Sequence, residues 1–129
     1  MKKKILIVNA NYYKDISLGL LKSAKNLVLK KHIIKIIDVP GVFEIPVTIS
    51  KNLKKFDAFI ALGCVIKGET PHFDFISEAS TNAIMKLSID SKKPIGNGIL
   101  TCLNFKQAKA RKKKGAEAAS AILSVLTQK

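Results

Sequence analysis

Four apolar runs of strand length punctuate the chain: Ile5 to Val8, Ile33 to Val39 (apolar at Ile33, Ile34, Ile36, Ile37 and Val39), Phe59 to Ile66, and Pro94 to Thr101. Each is short and close to continuous rather than alternating, the pattern of strands buried on both faces. Between them the spacing changes to three or four. Ile16, Leu20, Ala24, Leu27 and Val28 share one helix face, and Phe43, Val47 and Leu53 share a second. Phe75, Ala79, Ala83 and Leu87 mark a third, and Ala108, Ala116, Ala119, Ile122 and Leu126 a fourth. Asp15 is the expected N-cap of the first helix, and Pro46 stands where the first turn of the second tolerates a missing N–H. The run Lys109-Ala110-Arg111-Lys112-Lys113-Lys114-Gly115 breaks the apolar stripe of the last.

Strands alternating with helices predict a parallel sheet, because parallel neighbours need a crossover and bury both faces. The expected fold is a single α/β domain over residues 1–129, a three-layer α/β/α sandwich with a four-stranded parallel sheet of the doubly wound, flavodoxin-like kind. Such sheets bind ligands at the carboxyl ends of their strands. The segments to read are therefore Asn9 to Asp15, Pro40 to Pro46, Gly63 to Asp74 and Gly96 to Asn104.

Composition narrows the field. At 129 residues and 47% hydrophobic, the chain supports one core and little more. It has no uninterrupted apolar stretch long enough to span a membrane. The basic opening leads into four apolar residues before Asn9, a strand rather than a signal peptide. Cys64 and Cys102 have no CxxC partner, and His32 and His72 form no zinc-ligand spacing with them, so neither a disulfide framework nor a zinc site is indicated. A reducing cytoplasm is the expected compartment. The net charge is +14, yet Arg111 is the only arginine among 23 basic residues. Arginine is the residue that reads guanine edges and stacks on bases, so this make-up argues against base reading. Along the chain the lysines fall in every segment.

The first loop offers Asn11, Tyr12 and Tyr13; a ring at the mouth of a cleft can cover the sheet or stack on a planar heterocycle. In the second, two prolines around Gly41 hold the backbone still, and Glu44 either compensates a helix dipole or accepts hydrogen bonds from a polyol. The third, Gly63-Cys64-Val65-Ile66-Lys67-Gly68-Glu69-Thr70-Pro71-His72-Phe73-Asp74, nearly matches GxxxxGK[ST], but Glu69 stands where that motif needs lysine. What remains is an anion site of backbone N–H groups and a hydroxyl before a helix, with His72 beside it in position for proton transfer. Cys64 follows an apolar run without an orienting third group, which suits an inert thiol better than a nucleophile. In Gly96-Asn97-Gly98, two glycines within a strand imply something approaching the backbone closely.

Together, VPGVFEIP (Val39 to Pro46), GCVIKGETPHFDF (Gly63 to Phe75), PIGNGILT (Pro94 to Thr101) and KGAEAA (Lys114 to Ala119) resemble the signatures of the lumazine synthase family, in their usual order and over nearly the whole chain. The resemblance implies a transferase of riboflavin biosynthesis. It would condense 5-amino-6-(D-ribitylamino)uracil with 3,4-dihydroxy-2-butanone 4-phosphate to 6,7-dimethyl-8-ribityllumazine, phosphate and water, with no metal or organic cofactor. By position it implies that Tyr12 stacks on the pyrimidine, that Val42, Phe43 and Glu44 contact ribityl chain and ring, and that Cys64, Val65 and Ile66 hold the ring edge. Glu69 and Thr70 would bind the butanone phosphate, and His72 would carry protons. From the adjacent subunit of a pentamer, Asn97 would line the pocket, Arg111 clamp the phosphate and Lys114 lie near the ribityl side. The implied partners are small molecules and copies of the chain, not nucleic acid or membrane. Three departures stand out. Asn11 replaces a frequent Arg, and Asn97 a frequent Phe. The stretch between Arg111 and Lys114 is shorter than the family's glycine-rich kink. The family's larger shells use that kink and an extra N-terminal strand, so this chain, starting near its first core strand, is expected to form isolated pentamers. The alternatives are a basic binding module for RNA or other polyanions, and a related riboflavin-pathway enzyme on the same scaffold, such as a riboflavin synthase of the archaeal type.

Overall fold

In the computed structural model, which describes residues 2–128, the four apolar runs become β1 (Lys4–Ala10), β2 (Ile33–Val39), β3 (Ala58–Ile66) and β4 (Ile95–Cys102). They form one parallel sheet in the order β2-β1-β3-β4. Helices α1 (Lys14–Val28), α2 (Ile45–Lys51), α3 (His72–Ser91), α4 (Phe105–Ala110) and α5 (Lys114–Leu126) connect the strands and close the chain. The expected three-layer α/β/α arrangement is thus observed.

Alternate strand residues feed two cores. Ile5, Ile7, Ile60 and Leu62 pack against Ile16, Leu20, Ala119 and Ile122 of α1 and α5. Leu6, Val8, Phe59 and Ala61 pack against Ile45, Ile49 and Ile84 of α2 and α3. The glycines of β4 have a packing reason. A Cβ on Gly96 would lie 2.3 Å from the backbone oxygen of Ala118, so the close approach inferred from the sequence is that of α5 and not of a ligand.

Four local expectations change. The N-cap of α1 is Tyr13 without a side-chain hydrogen bond; Asp15 sits inside the first turn, where its charge meets the helix dipole. The helix expected over Phe43, Val47 and Leu53 is a 3₁₀ turn at Val42–Glu44 followed by the short α2. The last helix divides into α4 and α5 around a turn at Arg111 to Lys113. In α3 the buried or half-buried face is Phe73, Ile76, Ser80, Ile84 and Leu87, whereas Phe75 is 67% exposed. Both faces of α3 are apolar, so spacing alone could not choose between them.

Candidate active site

At the carboxyl ends of β1 and β3 a cleft of about 500 Å³ opens between the first three loops. Its construction begins with Gly63 in β3. A Cβ there would fall 2.8 Å from Val42 Cγ2 and 3.0 Å from Ala10 Cβ, so its absence lets the 3₁₀ turn settle onto the sheet. Val42 is buried by this seating, and Phe43, 70% exposed, is left over the cleft. Opposite, Tyr12 is 73% exposed and stands edge-on to Tyr13, with ring centroids 4.9 Å apart. Tyr13 is the inner of the two, half-buried against the α1 side of the core and tilted toward Phe105 at 6.2 Å. Burial, and then the neighbouring Tyr12 and Cys64, raise its phenol pKa. The hydroxyl therefore stays protonated near neutral pH and can donate a hydrogen bond.

The floor is the end of β3: Cys64, Val65 and Ile66. They belong to the strand, whose loop begins only at Lys67. Burial, and then Cys102, push the Cys64 thiol up to about 12. A thiol of this kind is protonated at neutral pH and is no nucleophile. We predict that Cys64→Ala retains turnover and that Cys64 resists iodoacetamide at pH 8 in the folded protein. Rapid alkylation would show a reactive thiolate.

The far wall is α3, with His72 at its first position and Ile76 one turn on. His72 is exposed, and its backbone N–H donates to Thr70 Oγ1 at 3.4 Å. Because Thr70 accepts this bond, its own proton stays free for a ligand oxygen.

Of the residues anticipated from sequence, Tyr12, Val42, Phe43, Cys64, Val65, Ile66 and His72 line this one cleft. Glu44 instead lines an adjacent apolar groove with Phe43, Val47 and Ala83. Glu69 and Thr70 are exposed on the loop leading to His72, outside the lining. Asn97 lies toward the amino end of β4, opposite Ala61, and its Oδ1 accepts from the Ile99 N–H at 3.0 Å. Several residues short of the strand end, it is about 16 Å from the carboxyl edge and does not reach the cleft of its own chain. Arg111 is exposed after α4, with Nη1 3.9 Å from Cys102 Sγ; Lys114 opens α5. No lysine or arginine lines the cleft among the described residues. Tyr13, Gly41 and Ile76 line it without having been assigned a role. Adjacency to Tyr12 and the one-turn spacing from His72 were the available signals for Tyr13 and Ile76. Among the described residues no group of three or more His, Cys, Asp or Glu side chains is placed to hold a metal ion.

The turn carrying Arg111 is clamped to α1. Ser23 Oγ donates to the Lys112 carbonyl at 3.0 Å and accepts from the Ala116 N–H at 3.1 Å. Gly115 lies so close to α1 that a Cβ there would be 2.1 Å from the Leu20 oxygen.

A parallel α/β sheet with exposed rings and a histidine in a strand-end cleft has the architecture of the doubly wound class, whose ligands bind at the carboxyl ends of the strands. The chain matches the family described as 6,7-dimethyl-8-ribityllumazine synthase over residues 2–129 and belongs to it. A protein of that name from Agrobacterium fabrum is 42% identical, over 99% of this chain and 95% of its own length. One from Bartonella henselae is 44% identical, over 99% and 89%, and one from Bartonella bacilliformis 45%, over 86% and 76%. The match to the Agrobacterium protein runs over 141 residues, more than the 129 present here, so that relative holds residues this chain lacks. The chain is accordingly a transferase of riboflavin biosynthesis.

Proposed function

We propose that this enzyme condenses 5-amino-6-(D-ribitylamino)uracil with 3,4-dihydroxy-2-butanone 4-phosphate to 6,7-dimethyl-8-ribityllumazine, releasing phosphate and water, at a site completed by a second copy of the chain. One observation carries the reading. Among the described residues the cleft of a single chain has ring walls, a strand-end floor and His72, but no lysine or arginine for a phosphate, while Asn97, Arg111 and Lys114 sit outside it. In this reading Tyr12 stacks on the pyrimidine, and Val42, Phe43 and Glu44 meet ring and ribityl chain. Cys64 to Ile66 hold the ring edge through the main chain. The Glu69 backbone N–H, the Thr70 hydroxyl and the neighbour's Arg111 take the phosphate, and the neighbour's Asn97 and Lys114 close the ring and ribityl sides. The amine adds to the ketone, a Schiff base forms with loss of one water, phosphate is eliminated, and the second amine closes the ring onto the remaining carbonyl with loss of a second water. His72 moves the protons, and orientation of two substrates supplies on the order of 7–11 kcal/mol at best. Mixed assemblies test the sharing. His72→Ala and Arg111→Ala chains, refolded together and assayed at a butanone phosphate concentration too low for the arginine variant alone to turn over, should regain about one quarter of wild-type activity, the fraction of sites with both intact residues. No recovery in verified mixed assemblies contradicts a shared site.

The pentamer belongs to the same proposal, as does the cytoplasm, for which the two free, buried cysteines speak. Phe75, Met85 and Ile89 expose an apolar stripe along α3, and the apolar groove beside Glu44 continues it. Contiguous apolar surface of this sort favours association. Five copies at +14 each carry a formal +70, so assembly should strengthen with salt. In light scattering, Phe75→Lys with Ile89→Lys is expected to lower the particle mass while leaving the circular dichroism unchanged. A particle on the order of a million daltons would indicate a shell instead.

A further inference from the structure

The lysines, distributed over every segment in sequence, are gathered by the topology. In an all-parallel sheet every loop that enters a strand lies at the amino end. Each of the four carries a lysine cluster: Lys2, Lys3 and Lys4 before and at the start of β1, Lys30 and Lys31 before β2, Lys54 and Lys55 before β3, and Lys92 and Lys93 before β4. Nine of the 22 lysines thus share the pole opposite the active-site cleft. All are exposed except Lys3 and Lys93, which are half-buried. The nearby acids leave the pole positive: Asp57, which lines the same hollow as five of these lysines, accepts from the Lys4 backbone N–H at 2.8 Å, and Asp90 pairs with Lys86 at 3.1 Å. His32, at the same pole, has its pKa lowered by burial and then by neighbouring positive groups, Lys31 and Lys3 among them, as expected in a field of one sign.

The pole is a row with a hollow. In the order β2-β1-β3-β4 the clusters follow one another at the strand spacing, spanning about 15 Å. Lys2, Lys4, Lys54, Lys55 and Lys93 surround a cleft of about 360 Å³ that Ile33, Asp57 and Phe56 also line, Phe56 being half-buried with its ring edge-on to Phe59 at 6.2 Å. A row of ammonium groups suits a linear string of phosphates, and a single aromatic within a basic groove suits a base stacking without being read. A lipid surface is flat and would not enter a hollow. The absence of arginine from the row removes the bidentate contacts that would select a sequence.

We infer that the lysine row at the amino pole of the sheet is a docking surface for single-stranded nucleic acid, bound through its phosphodiester backbone without sequence preference and separately from catalysis. The test is fluorescence anisotropy of the full-length protein with a labelled 20-nucleotide oligouridylate across a salt series. Wild type should bind, with log affinity falling linearly against log salt. Lys54→Glu with Lys55→Glu, both exposed loop residues, should weaken binding at least about tenfold and leave lumazine formation unchanged. The same pair should reduce the salt slope by about 1.4, or about 0.7 for each phosphate left without its lysine. Lys14→Glu with Lys22→Glu makes the same charge change away from the row and should cost less than about threefold. Equal losses in the two variants, which would reflect net charge alone, overturn the proposal. So does a failure of the wild type to bind the oligonucleotide, including a failure accompanied by binding to phosphatidylserine vesicles.

Discussion

Gly115→Ala is expected to destabilise the protein by about 3 kcal/mol, at the upper end of the usual overpacking range. The new Cβ would sit 2.1 Å from the Leu20 carbonyl oxygen and 2.5 Å from Ser23 Oγ, and neither α1 backbone nor a doubly bonded hydroxyl can yield freely. Opposing this, alanine gains at most about 1 kcal/mol of helix propensity over glycine, so the clash decides the sign. A functional cost should accompany it, because α5 displaced from α1 carries Lys114 with it and drags the turn that holds Arg111. Gly68→Ala is the internal comparison: nothing lies within 4 Å of its added Cβ, and its φ is not positive, so stability should stay the same or rise slightly. Denaturant unfolding at one fixed protein concentration reads both. Equal stability for the two variants would show that α5 can move away from α1 at little cost.

His72→Ala should lower turnover by roughly 10²- to 10⁴-fold, the usual contribution of a positioned acid–base group. Binding of the ribitylaminouracil should be preserved. The side chain is exposed at the start of α3, so its removal opens no cavity in the core. Arg111→Ala should have the opposite kinetic signature, chiefly raising KM for the phosphate-bearing substrate. A His72→Ala enzyme with wild-type turnover would remove the histidine from the chemistry. An Arg111→Ala enzyme with reduced turnover and unchanged KM would remove the arginine from phosphate binding.

Much of this was legible in sequence because strands buried on both faces write themselves as apolar runs, and all four appear close to the observed ends. The helices were less legible where several faces are apolar, as in α3, or where proline and a 3₁₀ turn compress the start, as at Val42 to Lys51. The break at Arg111 to Lys113 was visible as a charge run, but its cause, the close seating of Gly115 and Ser23 between α1 and α5, is tertiary. Seven site residues could be collected from three loops because a parallel sheet brings the carboxyl ends of its strands together. The same rule gathers the lysine clusters at the other end, a consequence hidden while the lysines were read in linear order. Tyr13 escaped assignment because the family resemblance gives the stacking role to its neighbour Tyr12, although Tyr13 is the more buried ring and the one next to Cys64.

The most direct test of the condensation is to mix the purified protein with 5-amino-6-(D-ribitylamino)uracil and 3,4-dihydroxy-2-butanone 4-phosphate and follow the absorbance and fluorescence of the lumazine alongside phosphate release. Product and phosphate should form in equal amounts, dependent on both substrates and reduced to a small residue by His72→Ala. Neither product nor phosphate, under conditions in which the Agrobacterium fabrum relative turns over, would contradict it.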